Sequence, residues 1–132
     1  MKAIVHTEYG SADVLKFRDI EEPGIGDDEV LIQVHAAGVG PDVWHMMTGL
    51  PYLFVRLMGG GLRKPKTQGV GRDVAGSVEA VGKNVTRFRP GDEVFGWCGR
   101  SFDGGGFAEY ALARRTMVVP KESALRRNGE SE

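Results

Sequence analysis

The sequence predicts a mainly-β fold, a small barrel of short strands with one or two short helices. Glycine supplies 20 of the 132 residues, about twice its average share, so the chain turns often. Several short segments alternate apolar and polar residues with the period of two that β-strands show. A Pro-Gly-Asp turn at residues 90–92 closes this pattern, as in barrels built from short strands.

The first half of the chain contains three predicted strands, at residues 2–7, 15–20 and 29–37. A turn at residues 9–11 separates the first two. Leu15 and Phe17 share one face of the second strand, and Lys16 and Arg18 share the other. The third strand alternates over nine residues, with Val30 and Ile32 on one face.

A short helix is predicted over residues 42–47. Pro41 suits a first helical position, Asp42 places a negative charge in the first turn, and Gly49 ends the helix. The pattern is lost over residues 50–68, which predict an excursion from the barrel.

The second half contains four predicted strands, at residues 74–81, 93–97, 107–113 and 116–119. Pro90 and Gly91 suit the central positions of a type II turn. Residues 1–120 form the predicted domain. Half of residues 121–132 are charged and only two have apolar side chains, which predicts a disordered tail.

Composition excludes several classes of protein. The chain has 17 Lys and Arg against 18 Asp and Glu, whereas general nucleic-acid binding needs a concentrated positive field. No apolar run approaches the roughly 20 residues that span a bilayer. The first residues lack the apolar stretch of a signal peptide, so a cytoplasmic protein is expected. A single cysteine excludes an internal disulfide.

Five strings in a fixed order identify a family. They are Glu-Val-Leu-Ile-Gln-Val at 29–34, Ala-Gly-Val at 37–39, Gly-Arg-Asp-Val-Ala-Gly-Ser-Val-Glu-Ala-Val-Gly at 71–82, Pro-Gly-Asp-Glu-Val-Phe-Gly at 90–96, and Gly-Gly-Phe-Ala-Glu-Tyr at 105–110. Together they resemble the N-terminal GroES-like domain, a partly open β-barrel, of the medium-chain dehydrogenase/reductase superfamily. The zinc-independent quinone oxidoreductases and their alcohol-dehydrogenase-like relatives are the most similar members.

The resemblance implies a two-domain, NAD(P)H-dependent enzyme in which this domain forms the substrate side of the cleft. A following Rossmann domain would hold the cofactor. We expect that domain to be absent here, because the residues after 120 are too few for a βαβ unit of about 30 residues. The chain alone is then expected to bind no cofactor tightly and to be inactive.

The residues at the family's metal positions predict no zinc site. Zinc-binding members carry a cysteine shortly after the long strand and a histidine in a Gly-His-Glu string. Here Gly40 and Arg72 occupy those positions, and a guanidinium cannot ligate zinc. Only Asp73 remains at the acidic position. The structural zinc lobe requires four cysteines, and Cys98 is the single one.

Arg72 and Asp73 allow two interpretations. Arg72 could hold a substrate carbonyl, an anion or a cofactor phosphate at the floor of the cleft. Alternatively the two residues form a local ion pair that orders the loop, which is the favoured reading. Asp73 is expected to satisfy backbone donors near the cleft.

The helix region supplies the other candidate site residues. His45 occupies a proton-relay position of some alcohol dehydrogenases, but that relay depends on a zinc-bound alkoxide, so a helix histidine is favoured. Quinone oxidoreductases place an asparagine and a proline beside the nicotinamide. Gly40 and Pro41 stand there, so the resemblance implies cofactor contact at these two. Asp42 either replaces the lost amide or compensates the helix dipole.

An apolar pocket for a flat, conjugated carbonyl compound or quinone is predicted from aromatic residues. Trp44, Tyr52, Phe54 and Met58 could line it, or they could cover the barrel end. Tyr52 is favoured for the cleft. Arg72 and Asp73 complete the predicted substrate pocket. The candidate catalytic residues are Asp42, His45, Tyr52 and Arg72.

Two functions stay open at this point. One is the substrate-side domain of a zinc-independent oxidoreductase that reduces quinones, enones or other carbonyls. The other is a free-standing barrel that binds a partner or associates with itself through the surface that would otherwise meet a Rossmann domain.

Overall fold

The structure is a computed structural model that describes residues 1–50, 62–65, 68–98 and 105–121. It confirms the mainly-β prediction. The strands are β1 (Lys2–Val5), β2 (Lys16–Asp19), β3 (Glu29–Ala37), β4 (Asp73–Val81), β5 (Glu93–Trp97), β6 (Tyr110–Arg114) and β7 (Val118–Pro120). One α-helix, α1 (Pro41–Thr48), follows β3, and 3-10 turns cover Ala12–Val14 and Arg115–Met117. Within these residues no helix has the length and apolar character needed to span a membrane.

Five strands form one antiparallel sheet in the order β6-β3-β4-β5-β7. Residue His35 has no partner between the pairs Val34–Gly76 and Ala36–Ala75, so β3 carries a bulge there. A second register shift skips Glu79 on β4. Since bulges bend a strand and increase its twist, the two shifts curl the sheet into a half-barrel.

The hairpin of β1 and β2 attaches to this sheet through β1. Isolated bridges join Ala3 to Ala108 and Val5 to Gly69. The hairpin thereby covers one side of the half-barrel, and its Ala3 and Val5 side chains are buried.

The core lies on the concave face of the sheet. It is built from the alternate residues of each strand, chiefly β-branched side chains that pack well on a pleated surface. The buried cluster includes Val30, Ile32, Val74, Val78, Val94, Ala111, Ala113 and Val118, and Phe88 and Cys98 extend it from the loops. The predicted apolar face of β3, with Val30 and Ile32, therefore lies inside the barrel.

Several local predictions are confirmed. Strands β3 and β5 begin and end at the predicted residues, and α1 contains the predicted helix and ends before Gly49. At the Pro-Gly turn, the Asp92 N–H donates to the Arg89 carbonyl at 3.1 Å. Gly91 has φ +95°, the positive value that the third residue of a type II turn requires.

Several strand boundaries differ from prediction, and one predicted apolar face is not buried. The strand predicted from residue 107 begins at Tyr110, since the Phe107 N–H donates to the Val70 carbonyl at 3.0 Å instead. The last strand starts at Val118, after a 3-10 turn. In β2 the predicted apolar face is not buried, and Phe17 is 71 % exposed. The predicted tail beyond residue 121 and most of the predicted excursion lie outside the described residues.

Candidate functional site

Three strand ends and one helix meet at one end of the half-barrel. The Gly38 N–H, just after β3, donates to the carbonyl of Asp73 at the start of β4 (2.9 Å). Asp73 in turn pairs with Trp97 at the end of β5. The antiparallel register thus brings Gly38, Asp73 and Trp97 to neighbouring positions, and α1 begins three residues beyond Gly38.

Arg72 lies against the ring of Trp97, a residue that the sequence did not indicate as part of the site. Its guanidinium carbon stands 5.4 Å from the centroid of the Trp97 ring, within the range of a cation–π contact. Between the described residues no ion pair links Arg72 to Asp73. The alternation of β5 predicts that Trp97 points away from the core, but its pairing with Arg72 depends on the β4–β5 register.

Cys98 is a buried packing residue beside Arg72. Its N–H donates to the Arg72 carbonyl at 2.7 Å, and its sulfur lies 3.6 Å from the Gly71 carbonyl oxygen. Burial raises the pKa of the thiol to about 11, although its own backbone hydrogen bond and the Arg72 charge act in the opposite direction. The thiol is therefore protonated at neutral pH and is not an activated nucleophile.

The carboxylates of Asp73 and Asp42 both add to the rise in the Cys98 pKa. The charges of Arg72, Asp73 and Asp42 therefore all act on the Cys98 thiol. Asp42 lies in the first turn of α1, after Gly40 and Pro41. A Cβ added at Gly40 would come within 2.7 Å of an Asp42 carboxylate oxygen.

His45 and Trp44 lie on α1. The Nδ1 atom of His45 is 2.7 Å from the Leu50 carbonyl oxygen, which only accepts, so Nδ1 carries the proton. The ring also packs edge-on against Trp44, at 5.1 Å between centroids. The hydrogen bond of His45 thus fixes the position of the segment that follows α1. The Trp44 side chain is half exposed. Tyr52, Phe54 and Met58 lie outside the described residues.

A groove of about 680 Å³ opens at this end on the convex side of the sheet. Small residues form its floor, and aromatic residues form one wall. The lining includes Ala36, Ala75, Asp73, Phe95, Trp97 and Met117. Among the residues that the structure describes, no group of three or more His, Cys, Asp or Glu side chains could hold a metal ion.

The curled sheet, its covering hairpin and the helix at the open end define a GroES-like, partly open barrel. Residues 26–123 match the alcohol dehydrogenase GroES-like domain family. The chain belongs to this family, as the motifs in its sequence implied.

Two similar proteins and one similar solved structure are named quinone oxidoreductases. The chain is 44 % identical over 114 residues to the quinone oxidoreductase of Homo sapiens. The alignment covers 86 % of this chain and 31 % of that protein. It is 35 % identical over 137 residues to a chloroplastic quinone-oxidoreductase of Triphysaria versicolor, covering 98 % of this chain and 38 % of the relative. The solved quinone oxidoreductase of Coxiella burnetii superposes with a TM-score of 0.76 at 29 % identity, over 92 % of this chain and 37 % of that one. The chain spans about a third of the length of these relatives.

Proposed function

We propose that this chain forms the substrate side of a zinc-independent, NAD(P)H-dependent oxidoreductase that reduces quinones, enones or other carbonyl compounds. The observation that carries the proposal is the 44 % identity to the human quinone oxidoreductase, over 86 % of this chain. Because that match covers 31 % of the relative, catalysis is assigned to a longer protein or assembly. The chain by itself is expected to show no turnover.

The donor set at the strand ends supports chemistry without zinc. Arg72 stands where zinc-binding members of the superfamily carry a histidine ligand, and its guanidinium lies on the Trp97 ring. A permanent cation offers no lone pair, and it would repel a second cation at the same place. A substrate oxygen that gains negative charge would be attracted to Arg72 instead.

When bound, the nicotinamide supplies the hydride. Gly40 and Pro41 would contact it, since neither carries a long side chain and Pro41 is exposed at the first position of α1. The Asp42 carboxylate beside Gly40 favours the nicotinamide end of the cofactor there over an anionic phosphate. The residues at this end therefore fit a contact with the reactive ring.

The substrate would lie against Arg72 and Asp73, with Trp44, Tyr52 and Phe54 as apolar contacts. In this arrangement Arg72 orients the carbonyl oxygen and stabilises the charge that develops as hydride arrives. We assign His45 to the closure of α1, because its Nδ1 proton is already donated to Leu50. We propose that Tyr52 lies in the cleft and is a catalytic residue.

A binding experiment tests the substrate side directly. The chain is titrated with duroquinone, whose four methyl groups block addition of thiols to the ring, and tryptophan fluorescence is followed. We expect saturable quenching that weakens about tenfold in Arg72→Met, because a charge-assisted hydrogen bond is lost. Arg114→Met is the matched control, since Arg114 lies at the far end of the sheet on β6.

Three results would contradict the proposal. If the Arg72→Met and Arg114→Met variants bound duroquinone with equal affinity, Arg72 would not be part of the substrate site. Elemental analysis that finds one zinc ion per chain would refute the zinc-free assignment. Steady oxidation of NADPH by the chain alone, with duroquinone as acceptor, would show that the chain is a complete enzyme.

The cytoplasmic location stays a prediction. One relative of 35 % identity is named chloroplastic, so the family occurs in more than one compartment. Fractionation of the source cells, with detection by an antibody against this chain, would decide it.

A further inference from the structure

The backbone that carries Arg72 is held from two sides. On one side, the Cys98 N–H donates to the Arg72 carbonyl at 2.7 Å, directly after the end of β5. On the other side, the Gly106 N–H donates to the carbonyl of the preceding residue, Gly71, at 2.9 Å. The point from which the Arg72 side chain starts is therefore fixed by hydrogen bonds to two separate parts of the chain.

A fixed backbone does not by itself place the guanidinium of Arg72. An arginine side chain has several rotatable bonds and a large rotamer entropy. Arg72 is only partly buried, so the barrel does not enclose this side chain. A cation that meets a substrate oxygen from one direction therefore needs a further contact at its charged end.

The ring of Trp97 supplies such a contact. Its centroid lies 5.4 Å from the guanidinium carbon of Arg72. The β4–β5 register sets this approach, because Trp97 pairs with Asp73, the residue directly after Arg72. An aromatic ring attracts a guanidinium through its π face and uses none of its N–H donors as a hydrogen-bond acceptor would. The Trp97 contact therefore restrains the cation without occupying a donor that a substrate oxygen needs.

The neighbouring aromatic residue of β5 makes no such contact. Phe95 lies two positions before Trp97, so both side chains stand on the same face of the strand. Their exposed fractions are almost equal, 38 % for Phe95 and 37 % for Trp97. Among the residues that the structure describes, no ring contact joins Phe95 to Arg72. The contact with Arg72 is therefore a property of position 97 and not of the aromatic character of this strand.

We propose that Trp97 is a positioning residue for Arg72: its ring holds the guanidinium where the oxygen of a quinone or other carbonyl substrate binds. The substrate role of Arg72 rests on the proposed function, but the contact between the two side chains can be tested without a substrate. Trp97 acts through Arg72, so its removal lowers substrate affinity less than the removal of Arg72 itself. The reason is that a cation–π contact at a partly exposed site is weaker than a charge-assisted hydrogen bond.

The first measurement follows the side-chain Nε–H resonance of Arg72 by proton–nitrogen correlation NMR of the chain without ligand. Its loss in Arg72→Met assigns this resonance. We expect an upfield position in the unaltered chain, since the proton lies over the Trp97 ring. Trp97→Leu should return it to the ordinary arginine position, and Trp97→Phe should retain most of the upfield shift. Phe95→Leu is the matched control and should leave the resonance unchanged.

The second measurement is a double-mutant cycle with duroquinone, followed by isothermal titration calorimetry so that no tryptophan serves as the reporter. Trp97→Leu should weaken binding about threefold, and Trp97→Phe should rescue most of that loss. In the Arg72→Met background, Trp97→Leu should have no further effect, because the side chain that it positions is already absent. Circular dichroism verifies that each variant folds.

The two measurements separate this inference from the proposed function. If Arg72→Met binds duroquinone as tightly as the unaltered chain, the substrate role of Arg72 is wrong, and the resonance still decides whether Trp97 holds its guanidinium. An Arg72 resonance without an upfield shift in the unaltered chain would overturn the inference, and this result requires no Trp97 variant to fold. A resonance that stays upfield in Trp97→Leu would show that another contact holds Arg72. An equal loss of affinity from Trp97→Leu in both backgrounds would make Trp97 a direct substrate contact instead.

Discussion

At the scale of single residues, Gly71 has a conformation and surroundings that exclude a side chain. Its φ is +84°, and an added Cβ would lie 2.8 Å from the Phe107 ring. Gly71 also fixes the segment before Arg72, since its carbonyl accepts from the Gly106 N–H at 2.9 Å. The position of Arg72 therefore depends on this glycine.

We expect Gly71→Ala to lower the free energy of unfolding by about 2–4 kcal/mol, because steric overlap adds to the cost of a positive φ. Urea denaturation measures the change. Gly91→Ala is the matched control: φ is +95° but nothing lies within 4 Å of the added Cβ, so only the backbone cost of about 1 kcal/mol remains. Equal losses for the two variants would show that Phe107 does not restrict Gly71.

The residues of the candidate site were only partly predictable from sequence. Arg72, Asp73 and Asp42 follow from the family motifs, and the charges of all three act on the Cys98 thiol. Trp97 was missed, because its contact with Arg72 depends on which residue of β4 lies opposite which residue of β5. His45 could be placed on a helix, but its bond to the Leu50 carbonyl depends on how the chain leaves that helix.

At the scale of elements, strands β3 and β4 approach each other unusually closely at Gly76. An added Cβ would lie 1.9 Å from the Gln33 carbonyl oxygen, which belongs to the backbone and cannot rotate away. This approach lies one pair from the bulge at His35, where the sheet curls. The close approach of the two strands therefore requires glycine at this position, although the backbone of Gly76 is part of an ordinary β-strand.

Gly76→Ala is expected to separate the two strands and to cost at least about 3 kcal/mol, or to prevent folding. The measurement is urea denaturation, with near-ultraviolet circular dichroism as a test of packing around the tryptophans. Ser77→Ala, the next residue in β4, is the control and should change stability by less than about 1 kcal/mol. A stable, native-like Gly76→Ala variant would contradict the observed register.

Elements were predictable where a local pattern and the tertiary environment agree. Strands β3 and β5 and the turn at Gly91 are examples, since alternation or turn chemistry alone specifies them. The start of β6 was wrong because the Phe107 N–H is committed to Val70, 37 positions earlier in the chain. The exposure of Phe17 was not predictable either, since β2 is held on one edge by β1 and covers no core.

At the scale of the whole molecule, the barrel depends on how the N-terminal hairpin docks on the large sheet. The docking runs through the end of β1, where the His6 N–H donates to the Gln68 carbonyl at 2.9 Å. The His6 ring is buried, packs edge-on against Tyr9, and its Nδ1 atom has no partner among the described residues. A charged imidazole is therefore unfavourable at this junction.

This arrangement predicts a loss of stability in mild acid. Burial lowers the pKa of His6 below its ordinary value of 6.5, so the unfolded chain takes up a proton before the folded chain does. The stabilisation is complete above pH 6.5 and is lost as the pH falls below that value, until the folded form is protonated too. The midpoint of urea denaturation should be lower at pH 5.5 than at pH 7.5, and His6→Leu should remove most of this difference. His35→Leu, which changes an exposed histidine, should retain it; an unchanged pH dependence in His6→Leu would place the sensitivity elsewhere in the barrel.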